Sequence, residues 1–210
     1  MQNNLKINKS IPATTLFLDI GGVMLSNGWG HVSRRSAAAV FNLDFDEMNE
    51  RHHVIQVTYE EGKITLSEYL KRVVFYQKRS FTIDQFREFM FSQSTPNIEM
   101  IKYIKQLKDK YKLKIAVVNN EGRELNEHRI KKFKLNQFVD FFISSCFVHF
   151  RKPDADIFRI ALDIAQVPVE NVIYIEDMQM FVDVARDLGI RSIQHKDFLS
   201  TSAELTLMGL

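Results

Sequence analysis

The sequence predicts an α/β fold: a doubly wound, Rossmann-like parallel sheet with a helical bundle inserted after its first strand. Three observations predict it. An apolar run, Leu16-Phe17-Leu18, ends in Asp19 and is followed by Ile20-Gly21-Gly22-Val23. After Pro96, apolar strand-like runs alternate with segments of helical period. Between these two regions, residues 28–94 carry helical patterning and no run of comparable strand character. A short apolar run bounded by turn residues reads as a buried strand. Strands alternating with helices imply parallel pairing and right-handed crossovers.

The first strand leads to Asp19, which therefore sits at a carboxyl end, where open parallel sheets place their ligands. His31–Phe41 and Phe45–Glu61 read as helices, the second ending near Gly62. Thr65-Leu66-Ser67-Glu68 has the form of a capping box and opens a helix with Leu66, Tyr69, Leu70, Val73 and Val74 on one face. Thr82-Ile83-Asp84-Gln85 is a second box, followed by Phe86, Phe89 and Met90. The aromatics of this block read as packing of a compact bundle. Ile98, Ile101, Ile104 and Leu107 form the next helical stripe, and Lys114–Val118 the second strand, ending at Asn119-Asn120-Glu121-Gly122. A helix over residues 124–133, a strand over Phe141–Ser144 and a helix over Asp156–Ala165 follow. Val172–Ile175 is the fourth strand, ending at Glu176-Asp177. A helix through Val182, Ala185 and Leu188 closes at Gly189, and Ser192-Ile193 reads as a last short strand.

The 210 residues are 45% hydrophobic and 26% charged, ordinary values for a globular chain able to bury a core. A formal charge of +2, with basic and acidic residues interleaved, gives no footprint for nucleic acid. The single cysteine, Cys146, excludes an intrachain disulfide framework and reads as a buried thiol. No apolar run reaches the ~18 residues of a membrane span. Residues 1–13 are polar and lack a signal-peptide core. A cytoplasmic protein without membrane or nucleic-acid partners is expected; oligomeric state is left open.

Three strand ends carry polar groups, Asp19, Asn119-Asn120 and Glu176-Asp177, and Lys152 precedes a helix. A doubly wound sheet brings all of them to one edge. At about 4 Å and an effective dielectric near 20, each pair of gathered carboxylates costs on the order of 4 kcal/mol. A divalent cation relieves that cost, and hard oxygen donors favour Mg²⁺. Lys152 supplies a second positive charge, Asp19 is a candidate nucleophile on phosphorus, and backbone N–H groups around Gly21 and Gly22 are candidates to hold phosphate oxygens.

With these residues in place, the chain resembles the haloacid dehalogenase-like hydrolase superfamily over about residues 14 to 196. Four motifs occur in the family's sequence: Asp19-Ile20-Gly21-Gly22-Val23, Val117-Val118-Asn119-Asn120, Arg151-Lys152-Pro153-Asp154-Ala155-Asp156-Ile157-Phe158 and Ile173-Tyr174-Ile175-Glu176-Asp177. Glu61-Gly62-Lys63-Ile64-Thr65 and the lysine motif look most similar to sugar-phosphate phosphatases and to the phosphatase half of epoxide hydrolases. The resemblance implies a core of residues 14–27 and 95–210 with a helical cap at 28–94. It implies a Mg²⁺-dependent phosphatase of small phosphorylated metabolites, acting through an aspartyl-phosphate. Asp19 and Lys152 are then catalytic. Asp19, the Gly21 carbonyl and Asp177 hold the metal with Glu176 as adjunct, and Asn119, Asn120 and Gly22 bind substrate.

Two positions depart from the family pattern. Gly21 stands where family phosphatases carry an acid–base aspartate, a group typically worth 10² to 10⁴-fold. Asn119 stands where Ser or Thr is usual, although its amide can still donate to a phosphate. His31, His52, His53 and His149 are candidates to replace the missing acid, and Trp29 and the pair Arg34-Arg35 are candidates to line the pocket, Trp29 more than Arg35. A catalytically weak or inactive binding protein is the alternative function, with metal-free dehalogenation a third reading that the acidic pair Glu176-Asp177 opposes.

Overall fold

The computed structural model describes residues 11–210. The polar segment expected over residues 1–13 falls, up to residue 10, outside the described residues. A five-stranded sheet forms the centre, built from β1 (Thr15–Leu18), β2 (Lys114–Asn119), β3 (Phe141–Ser144), β4 (Val172–Glu176) and β5 (Arg191–Gln194). Its spatial order is β3-β2-β1-β4-β5, and every pairing is parallel. The chain runs outward from β1 through β2 and β3, then returns to place β4 on the other flank. The switch point therefore lies beside β1.

Strand alternation sorts the core into two faces. Leu16 and Leu18 enter one cluster with Ile115, Val117, Ile173 and Ile175. Phe17 enters the other with Ala116, Val118 and Tyr174. Leu16, Phe17 and Leu18 are fully buried, worth roughly 1.5–3 kcal/mol each in apolar transfer. Helices α5 (Ile98–Tyr111) and α10 (Phe198–Leu207) cover the first face through Met100, Ile104 and Leu205. Helices α8 (Asp156–Ala165) and α9 (Gln179–Asp187) cover the second through Ile157, Ala161 and Ala185.

Four helices lie between β1 and α5: α1 (His31–Val40), α2 (Phe45–Glu60), α3 (Leu66–Val73) and α4 (Ile83–Ser92). Thr65 and Thr82 each close the capping box their sequences announce. These helices share a third cluster, centred on Tyr69, Leu70, Phe86 and Met90. Leu125 of α6 (Arg123–Lys132) joins it from below. The chain leaves and re-enters the sheet layer side by side. The Ser26 N–H donates to the Thr95 carbonyl at 2.8 Å, and the Thr95 N–H donates to Ser26 Oγ at 3.0 Å.

Two α-helices exceed the sequence expectation. Helix α10 follows β5, capped by Asp197, whose side chain accepts from the Ser200 N–H at 2.8 Å. A single turn, α7 (Ser145–Val148), holds Cys146, whose thiol is buried and pushed by that burial up to about 12. No helix among the described residues is long and apolar enough to cross a membrane.

Candidate active site

Leu18 of β1 stands opposite Ile175 of β4, so Asp19 and Glu176-Asp177 emerge together from neighbouring strand ends. Lys152 reaches them from the loop ahead of α8. Its ammonium donates to Asp19 Oδ1 at 2.8 Å, to Glu176 Oε2 at 2.5 Å and to the Tyr174 hydroxyl at 3.1 Å. An ammonium has three donors, and all three are engaged. Tyr174 in turn donates to Glu176 Oε2, and the Met178 N–H donates to Glu176 Oε1 at 3.1 Å. With three protein donors on its carboxylate, Glu176 anchors Lys152.

Asn120 locks this lysine in place. Its amide donates to the Lys152 carbonyl at 2.8 Å and accepts from the Lys152 N–H at 2.9 Å. That reciprocal pair joins the loop after β2 to the lysine loop, an organising contact the sequence did not announce. Asn119 is placed differently from the substrate-facing expectation. It is buried, its Nδ2 donates to Asn126 Oδ1 at 3.1 Å, and its Oδ1 accepts from Ser144 Oγ at 2.7 Å. The physical reason is its position in the ladder, directly opposite Ser144 of β3.

Gly22 also differs from the expected phosphate-holding role, because its N–H donates to the Leu25 carbonyl at 2.7 Å. Its glycine identity is demanded by space instead. Its φ is +74°, and a Cβ there would stand 2.2 Å from Asp177 Oδ2. Gly21 lies beside Asn27: a Cβ at Gly21 would meet Asn27 Oδ1 at 3.1 Å and Asp19 Oδ2 at 3.7 Å. Among the described residues no hydrogen bond is made to the Gly21 carbonyl, which keeps that oxygen available.

Asp19, Glu176 and Asp177 each offer an oxygen, and the three oxygens lie within 4.8 Å of one another. Burial raises Asp19 to about 7; Lys152 opposes the rise, while Glu176 and Asp177 add to it. Asp177 rises to about 6, by burial and then by its bond and repulsion with Glu176. Burial also works to raise Glu176, but Lys152 and the hydrogen bonds it accepts hold it below its ordinary value. Lys152 moves up, its two carboxylate neighbours outweighing desolvation. Three carboxylates against one ammonium leave uncompensated negative charge, and all donors are hard oxygens. The set fits a hard divalent cation such as Mg²⁺, with Asp19, Glu176 and Asp177 as the carboxylates able to hold it.

A cavity of about 240 Å³ opens above these groups. Asn120 and Asp177 line it from the strand ends, and Trp29, Arg34, His52 and Tyr59 line it from the helices above. Tyr59 is buried, and among the described residues its hydroxyl has no hydrogen-bond partner. Of the candidate histidines, only His52 reaches the cavity. Burial holds it near 3, so it stays neutral. His31 packs edge-on against Phe45. His53 bonds Asn49 at 3.2 Å, and His149 donates through Nδ1 to the Glu61 carbonyl at 2.6 Å. Arg35 lies over the Phe45 ring at 4.3 Å, as a surface residue does.

Fold and site together define an α/β protein with a carboxylate-centred, cation-competent site at its switch point. The haloacid dehalogenase-like hydrolase pattern matches residues 23–194, and the protein belongs to that family. Asp19 through Gly22 lie just ahead of the matched stretch, and the register of β1 against β4 carries them to the site. Bifunctional epoxide hydrolase 2 of Rattus norvegicus is 26% identical over 159 residues, covering 69% of this chain and 29% of that protein. The chain thus spans under a third of the epoxide hydrolases it matches. Putative pyrophosphatase PpaX of Caldanaerobacter subterraneus subsp. tengcongensis is 30% identical over 84 residues, 40% of this chain and 38% of that protein. A HAD family enzyme from Bacteroides thetaiotaomicron, solved with magnesium and inorganic phosphate, superposes with a TM-score of 0.75 at 18% identity, covering 88% of this chain and 94% of that one. L-2-haloacid dehalogenase from Xanthobacter autotrophicus superposes at 0.63 and 13% identity, covering 87% and 77%. These two likenesses show the shared fold.

Proposed function

We propose that the protein is a Mg²⁺-dependent phosphatase of small phosphorylated metabolites. The observation that carries this reading is the gathering of Asp19, Glu176 and Asp177 around Lys152, with Asp177 opening onto a cavity of metabolite size. A structural neighbour solved with magnesium and phosphate, and a relative named a putative pyrophosphatase, support it. A bound Mg²⁺ would supply charge neutralisation for phosphate oxygens and for the ionised form of Asp19. The side chains do the rest. An oxygen of Asp19 forms a bond to phosphorus as the phosphorus–alkoxide bond breaks, and the leaving oxygen keeps the electron pair and takes a proton from water. Lys152 favours the ionised form of Asp19 against burial and orients it. A water molecule then attacks the acyl-phosphate, returning the Asp19 carboxylate and releasing inorganic phosphate.

Because residue 21 carries no acid, the reading favours substrates whose leaving oxygen needs little protonation, such as anomeric, acyl or aryl phosphates. The test is phosphate release from a metabolite panel with Mg²⁺ or with EDTA. Release is expected with Mg²⁺ only, and Asp19→Asn is expected to lose about 10³-fold or more. A wild type as inert as Asp19→Asn across the panel overturns the reading. One observation favours a second reading, a phosphate-binding protein without turnover: Asn27 Oδ1 stands where a residue-21 acid would reach. Mg²⁺-dependent binding of inorganic phosphate without turnover of any ester supports it.

A further inference from the structure

Three arginine or lysine side chains are buried among the described residues, and two have carboxylate partners. Lys152 pairs with Asp19 and Glu176, and Arg129 pairs with Glu121 at 2.7 Å. Arg34 is 6% exposed and has no carboxylate oxygen within 4.0 Å among the described residues. Its Nε donates to Asn49 Oδ1 at 3.1 Å and its Nη1 to the Trp29 carbonyl at 2.7 Å, both neutral acceptors. A guanidinium has five N–H donors, so these two bonds leave others for the cavity that Arg34 lines. Arginine is almost never fully buried unless paired, because an uncompensated buried charge is costly.

Glu60 attracts Arg34 through space but makes no ion pair with it, so no neighbour among the described residues supplies a paired charge. Glu60 lines the same cavity but is held by Arg151 at 2.8 Å, and Glu121 is held by Arg129. His52 brings none either. The Trp29 indole can only donate, so the Tyr69 oxygen accepts from it at 2.9 Å. The remaining bond of the Tyr69 hydroxyl is to His52 Nδ1 at 2.8 Å, so Tyr69 donates there. His52 therefore carries its proton on Nε2 and is neutral.

Resting on the phosphatase reading, we infer that Arg34 is the seat for a second anionic group on the substrate. The metabolite carries a carboxylate or a second phosphate at the end remote from the phosphate that Asp19 attacks. The planar guanidinium fork suits either group.

Matched ligands of two lengths test it. The short set is glycerol 3-phosphate, 3-phosphoglycerate and propane-1,3-diol bisphosphate. The long set is glucose 6-phosphate, 6-phosphogluconate and glucose 1,6-bisphosphate. Calorimetric binding to Asp19→Asn with Mg²⁺ reads affinity without turnover. At one length, an anionic member is expected to bind about tenfold or more tighter than its neutral partner. Which member wins separates carboxylate from phosphate. Adding Arg34→Gln is expected to erase the preference, and Arg34→Lys to retain part of it. Equal binding of neutral and anionic members at both lengths, no binding of any anionic member, or a preference that survives Arg34→Gln overturns the inference. Turnover of the same sets by the wild type separates the two readings. Binding preference without phosphate release keeps the anion seat and removes the phosphatase; release without preference does the reverse.

Discussion

On the floor of the cavity Lys152 gives all three of its protons to protein acceptors, and Glu176 accepts from three donors. On the roof, among the described residues, Arg34 has no carboxylate within 4.0 Å and the Tyr59 hydroxyl has no hydrogen-bond partner. Both surfaces are buried, so solvation does not explain the contrast. A group that must hold one geometry during chemistry is best fixed by its own protein, since a buried network is valuable only when fully satisfied. A group that must recognise an incoming molecule needs bonding capacity left over. The floor is finished without a ligand, and the roof is not.

Substitutions sharpen that difference. The largest effect is expected at Gly22, where a methyl must displace Asp177 and the backbone is left-handed. Gly22→Ala should cost about 2–4 kcal/mol in urea unfolding and remove Mg²⁺-dependent activity. Two tyrosines give the next contrast. Tyr174→Phe removes a donor from Glu176 and an acceptor from Lys152, at about 1–3 kcal/mol. Tyr59→Phe removes a hydroxyl with no partner, so stability should change by less than about 0.5 kcal/mol, while KM rises. Equal destabilisation by the two would break the distinction between floor and roof.

A further contrast lies in pH. Folding raises Asp19 from 3.8 to about 7, so the folded protein holds that proton more firmly than the unfolded chain. Stability contributed by protonated Asp19 is present below its unfolded value and is lost as pH rises through about 7. Relative to Asp19→Asn, metal-free wild type should weaken between pH 4 and 7 and then level, as read by urea unfolding. On the proposed reading, millimolar Mg²⁺ at pH 8 should return the loss by binding the folded acids.

Much of the floor was legible because it is written in strand ends. Apolar runs that stop at Asp19, Asn119 and Glu176 mark the sheet edge, and parallel topology brings such ends together whatever lies between. The capping boxes at Thr65 and Thr82 were legible for the same reason, being local chemistry at fixed spacing. Contacts that depend on which way a side chain turns were not. Asn119 and Asn120 are adjacent, yet one is consumed by Ser144 and Asn126 while the other clamps Lys152. Nothing in their order distinguishes them without the register of β3. Gly22 looked like a phosphate cradle because its clash with Asp177 joins residues far apart in the chain. Helix α10 had one local signal, Asp197 ahead of Phe198, and only Thr201 and Leu205 of its residues are buried, too few for an apolar stripe. Arg34 and Arg35 are neighbours of the same type, and only the helix phase sends one inward.

Gly122, the residue just ahead of α6, sets the clearance between the two layers. A Cβ there would fall 2.0 Å from Tyr59 Cζ, so the tyrosine ring rests directly on bare backbone. A single methyl at this position would act as a doorstop, propping the upper helices away from the sheet and widening the chamber they roof. The height of the cavity thus rests on a residue that does not line it.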